Sequence, residues 1–159
     1  MRMLIATGVI LTGVLLAGCG DDDETTTATS TPGGTAAGEG TEVDVTLKEF
    51  EVITETDSVE AGEITFNVEN TGPDDIHEFV VLKTDLEPDA LPTVADGSVD
   101  EGAEDIEVLG EIEDLPVGET QSLTVNLTAG SYVLICNIYD ATEDEAHYAE
   151  GMLTAFTVE

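Results

Sequence analysis

Residues 64–70, ITFNVEN, alternate apolar and polar side chains with a period of two, and residues 122–128, SLTVNLT, repeat the pattern through Leu123, Val125 and Leu127. Successive side chains of an extended strand point to opposite faces, so this alternation specifies half-buried strands and not helices. Two further stretches, HEFVVLK (77–83) and SYVLICNI (131–138), are almost continuously apolar. Strands covered on both faces read this way, which predicts that these two are central. Residues 43–53, VDVTLKEFEVI, alternate through Leu47 and then shift phase to Phe50 and Val52. That shift predicts one strand carrying a bulge. MLTAFTV (152–158) supplies a last strand, and the intervening EAGE (60–63), NTGPDD (70–75), PVGE (116–119) and TAG (128–130) are turn signals. Short strands punctuated by Gly and Pro predict an all-β sandwich over residues 43–159.

The exception is 84–114, which is long and acidic. Within it DIEVLGEIE (105–113) predicts an edge strand. DGSVDEG (96–102) hints at calcium, but lacks the oxygen spacing of an EF-hand loop and is expected to be a solvated surface loop.

The start of the chain has a different character. Arg2 precedes an apolar run from Met3 to Ala17. A bilayer span needs about 20 residues, so the run fits the apolar part of an export signal, and residues 1–18 are set apart from the fold. Leu16-Ala17-Gly18-Cys19 resembles the lipobox of bacterial lipoproteins. The resemblance implies cleavage before Cys19, lipid on its sulfur, and a protein held to the membrane on the extracytoplasmic side. An uncleaved anchor and an ordinary secretory signal are the alternatives. Residues 19–42 contain no large apolar side chain, so nothing offsets the entropy of ordering them, and a disordered tether is expected.

Charge excludes some partners. The chain has 36 Asp and Glu against 3 Lys and Arg, for a formal charge of −33. Such a surface repels nucleic acid and anionic headgroups. The acids are either a docking face for a cationic partner or an adaptation to a salt-rich habitat. Their even spread along the chain favours the habitat reading.

With Cys19 assigned to lipid, Cys136 is the remaining thiol of an exported protein. It is either buried and inert, reserved for a partner chain, or a metal ligand. Its neighbourhood is unusual: CNIYDATEDEAHYAEGM (136–152) also holds His147 and Met152, while the other histidine, His77, follows the turn NTGPDDI. The segments NTGPDDIHEF (70–79), YVLICN (132–137) and HYAEGM (147–152) resemble the cupredoxins, the blue-copper family. The resemblance spans roughly 43–159 and implies a Greek-key sandwich with one type 1 copper ion. His77, Cys136 and His147 would be equatorial ligands and Met152 a weak axial one. Two imidazoles, a thiolate and a long thioether suit both oxidation states of copper, so little has to move when an electron arrives.

One departure stands out. Family members place two to four residues between the Cys and the next His, whereas here ten intervene, Asn137 to Ala146. An acidic flap over Asp140 to Glu145 either loops outward and leaves the ligands in place, or opens the site to solvent.

No nucleophile elbow or phosphate loop is present, and with Cys19 taken by lipid no second thiol, nor any further histidine, is left for a larger copper centre, so the expected protein is not an enzyme. The expectation is a one-electron carrier meeting a cytochrome or oxidase by transient contact, with Tyr148 and the neighbours of Met152 in the docking patch. A copper-delivery protein and a metal-free sandwich used as a binding module are the rivals.

Overall fold

The computed structural model describes residues 40–159. The signal, Cys19 and most of the tether lie outside them. Two sheets face each other. The first is ordered β2-β1-β4-β7, from β1 (Thr41–Lys48), β2 (Glu51–Thr54), β4 (Gly62–Asn70) and β7 (Thr120–Leu127). The second is ordered β3-β11-β8-β5-β6, from β3 (Ser58–Val59), β5 (His77–Lys83), β6 (Glu107–Leu115), β8 (Gly130–Ile135) and β11 (Leu153–Val158). The expected sandwich is present, with β5 and β8 central and β6 at an edge. β1 begins at Thr41, earlier than the apolar pattern implied. Thr41 and Glu42 are exposed but pair in parallel with Ile64 and Thr65, so backbone bonding orders them without burial.

The alternating residues meet between the sheets. Val43, Val45, Leu47, Ile64, Phe66 and Val68 of the first sheet pack against Phe79, Val81, Leu134, Phe156 and Val158 of the second. Phe66 is the hinge of this core, with ring centroids 5.3 Å from Phe79 and 5.6 Å from Phe156. Where β6 and β7 close one side of the sandwich, Gly110 is required. A Cβ there would stand 2.9 Å from Val125 Cγ1 and 3.2 Å from Leu123 Cδ1.

The phase shift at 48–50 is a turn, not a bulge. β2 folds back antiparallel on β1, pairing Lys48 with Glu51 and Leu47 with Val52. Both strands keep a clean period of two, and the shift arises because Glu49 and Phe50 form the connection.

The loop 84–106 also departs from expectation. Val80, Leu82, Val133 and Ile135 face away from the sandwich core, and Leu91, Val99 and Tyr148 bury them in a second apolar cluster. This is why β5 and β8 are apolar on both faces. Tyr148 anchors the cover: its hydroxyl donates to Pro88 O at 2.8 Å and accepts from Leu91 N at 3.2 Å. At 6% exposure it is not available as part of a docking patch. Within the acidic 96–102 stretch Val99 is buried, while Asp96 accepts from Ser98 N and Asp100 from Gly102 N. Those carboxylates serve their own turns.

Candidate metal centre

Four segments converge at one end of the sandwich. Asn70 organises the first of them. Fully buried at the end of β4, its side chain donates to Asp75 O and Leu115 O, each at 2.9 Å, and accepts from Gly72 N at 2.8 Å. Gly72 has φ +59°, and a Cβ on it would lie 2.6 Å from Val117 Cγ1. This turn delivers His77 to the start of β5, on the same inward face as Phe79 and Val81. Cys136 follows the last residue of the neighbouring β8, inward like Leu134. Met152 precedes β11, and its carbonyl accepts from Cys136 N at 3.0 Å. Its side chain is fully buried in the same cluster as Cys136.

His147 arrives by way of the long insertion. Residues 139–146 form a ribbon in which β9 (Tyr139–Asp140) pairs with β10 (Glu145–Ala146). Asp140 caps its tip by accepting from Thr142 N, and Tyr139 Oη donates to Asp144 Oδ1 at 2.5 Å. His147 N then donates to Ile138 O at 2.9 Å, so the excursion returns to the place it left. A short helix, α1 (His147–Glu150), ends at Gly151, and Met152 N donates to His147 O at 3.0 Å. The insertion therefore loops outward and leaves the histidine in place.

The donor atoms form a small triangle. His77 Nδ1 lies 3.2 Å from His147 Nδ1, and Cys136 Sγ lies 3.9 Å from the first and 3.4 Å from the second. A point in their plane equidistant from all three is roughly 2 Å from each, about the length of a metal–imidazole bond. All three side chains are buried. Both imidazoles are pushed below the ordinary histidine pKa, foremost by burial, so they are neutral with lone pairs free at neutral pH. Burial pushes the Cys136 thiol up to about 12, against the Glu78 amide that donates to its sulfur at 3.2 Å. A cation held in the triangle would displace that proton to solvent, since a coordinating thiol is deprotonated outright. Two neutral imidazoles and a thiol turned toward one point suit a soft-to-borderline metal ion better than they suit one another.

Several residues around the triangle were not singled out from sequence. The β1–β2 turn contributes Glu49, whose Oε1 lies 3.8 Å from His77 Nε2, and Phe50, whose ring packs edge-on to His147 at 5.4 Å. Burial works to raise the Glu49 pKa, but hydrogen bonds from the Asp75 and Asp74 amides outweigh it and hold the carboxyl below its usual range. Asn137, next to Cys136, accepts from Val99 N at 2.6 Å and donates to Val99 O at 3.2 Å and to Glu101 Oε1 at 2.7 Å. It ties the 96–102 loop to the cysteine strand. Asp75 and Glu145 bring carboxylate oxygens within 4.8 Å of a His147 ring nitrogen. A surface cavity of about 210 Å³, lined by Asp75, Ile76, Ile138, Tyr139 and Asp140, reaches His147.

The whole arrangement has counterparts among solved structures. The chain is similar to dithionite-reduced auracyanin from the photosynthetic bacterium Roseiflexus castenholzii, with 21% identity and a TM-score of 0.54 over 77% of this chain and 99% of that one. The fold is that of the cupredoxins. Two other cupredoxins align at similar quality. Rusticyanin from Thiobacillus ferrooxidans shows 16% identity and a TM-score of 0.52, covering 76% of this chain and 79% of that one. Auracyanin A, a "blue" copper protein from the green thermophilic bacterium Chloroflexus aurantiacus, shows 17% identity and a TM-score of 0.51, covering 76% and 100%. No protein-family profile matches the sequence, and no curated protein does. The cupredoxin likeness is thus one of shape, and the donor triangle is this chain's own.

Proposed function

We propose that this protein is a mononuclear copper protein that carries one electron at a time, and not an enzyme. The observation that carries the reading is the triangle of His77 Nδ1, His147 Nδ1 and Cys136 Sγ. Copper, when bound, supplies a one-electron couple between Cu(I) and Cu(II). His77 and His147 through Nδ1 and Cys136 through its thiolate would hold the ion, with the Met152 thioether as a fourth donor. The Glu78 amide stabilises the thiolate charge, and the Cys136–Met152 backbone bond fixes the two sulfur-bearing residues relative to each other. Burial of the donors keeps water off the ion, while the cavity beside His147 brings that ligand nearest to the surface. This edge is where an electron enters and leaves, through a small and transient contact with a redox protein such as a cytochrome or oxidase.

Cys19, lipidated after removal of residues 1–18, holds the domain to the membrane on its extracytoplasmic side. Copper delivery was the rival if the insertion opened the site. The Ile138–His147 bond at the base of the ribbon favours a retained ion and thus electron transfer.

The test is addition of Cu(II) to the purified protein. An intense thiolate-to-copper colour is expected at one ion per chain, and Cys136→Ser and His77→Ala should each abolish it. Colour surviving both substitutions refutes the ligand assignment.

A further inference from the structure

Two buried side-chain atoms among the described residues have no hydrogen-bond partner: His77 Nε2 and Glu49 Oε2. They belong to neighbours, since Glu49 Oε1 lies 3.8 Å from His77 Nε2. A buried polar group left without a partner gives up its hydration with nothing in return, so two side by side call for a reason. The carboxylate is not loosely placed. Asp75 N donates to Glu49 Oε1 at 2.7 Å and Asp74 N at 3.0 Å, and the Glu49 side chain is only 12% exposed. The turn that delivers His77 to the site is therefore the same turn that holds Glu49 against it.

The ring chemistry gives the reason. His77 directs Nδ1 toward Cys136 and His147, which leaves Nε2 as its other polar atom. A neutral imidazole that binds a cation through one nitrogen carries its hydrogen on the other. Metal-bound histidines commonly pass that hydrogen to a carboxylate, which orients the ring and raises its basicity.

We propose that Glu49 is the outer partner of His77, a positioning residue whose carboxylate accepts from Nε2–H when Nδ1 binds copper and whose charge favours Cu(II) over Cu(I). The inference rests on the copper reading above. Its unpartnered oxygen is out of contact with solvent, so the negative charge is less screened than that of an exposed carboxylate and stabilises the more positive ion more strongly.

The test compares Glu49→Gln and Glu49→Asp with the unsubstituted full-length protein, measuring Cu(I) and Cu(II) affinities and the reduction potential. Glu49→Gln should bind one copper with the same intense colour, while the ratio of Cu(II) to Cu(I) affinity falls at least ten-fold. For a one-electron couple that is a rise in potential of about 59 mV or more. Glu49→Asp, which keeps the charge, should recover most of the ratio. A ratio unchanged by Glu49→Gln overturns the proposal. A second reading comes from nitrogen-15 NMR of the unsubstituted protein loaded with diamagnetic Cu(I): the His77 Nε2–H should be protected from exchange, and rapid exchange overturns the proposal even where Glu49→Gln does not fold. Absence of copper binding by the unsubstituted protein instead overturns the reading on which it rests.

Discussion

His147 N donates to Ile138 O at 2.9 Å, and this single bond brings the chain back to its starting point after the excursion through residues 139–146. Everything between the two residues is a side branch of the site. With only two residues between them, the same bond would be the closing bond of a β-turn. The insertion is thus an elaborated turn, and its length does not displace the ligand it precedes.

Replacing 139–146 by two glycines should therefore leave copper binding and colour intact. Absorption spectroscopy of the loaded variant checks this. Loss of the colour in a folded variant would show that the ribbon itself holds His147.

Asn137→Ala should destabilise the protein by about 1–3 kcal/mol, because it strands the Val99 amide and carbonyl beneath the loop. Urea unfolding monitored by circular dichroism gives the number. Copper loss to a chelator should also accelerate, since the loop no longer clamps the residue after Cys136.

Glu78 provides a pH dependence. Burial, followed by the neighbouring carboxylates of Glu101 and Glu111, pushes its pKa up from 4.5 to about 7. The folded chain thus holds this proton more tightly than the unfolded one, so the associated stability is complete below about pH 4.5 and is lost as pH rises through about 7. In the copper-free protein, Glu78→Gln should raise the melting temperature at pH 8 and leave it unchanged at pH 4. A gain of equal size at both values would contradict the assignment.

Salt should stabilise the fold. With a formal charge of −33, the folded chain repels itself, and added ions screen that repulsion. Calorimetry should show a melting temperature several degrees higher in molar sodium chloride than in dilute buffer. No change would remove the argument that the acids reflect a saline setting.

The parts of this architecture legible in sequence were those governed by one-dimensional regularity. The period of two in 64–70 and 122–128 marks β4 and β7 because a pleated strand maps sequence parity directly onto burial. His77, Cys136, His147 and Met152 stood out because such residues are scarce in this chain. The misreadings share another cause. The phase shift at Lys48–Phe50 was visible, but a bulge and a two-residue turn both change parity, and pairing with β1 decides between them. Leu86, Leu91, Val99 and Ile106 cover the outer face of β5 and β8 at irregular spacing, so an acidic stretch carrying them looked solvated. Glu49 was one acid among many, and its role depends on lying behind a ring far along the chain.

The most direct test of the central claim is copper-edge X-ray absorption on the loaded protein. Two imidazole nitrogens at about 2.0 Å are expected together with a short thiolate sulfur in the same shell. A first shell of nitrogen and oxygen alone, without sulfur, would contradict it.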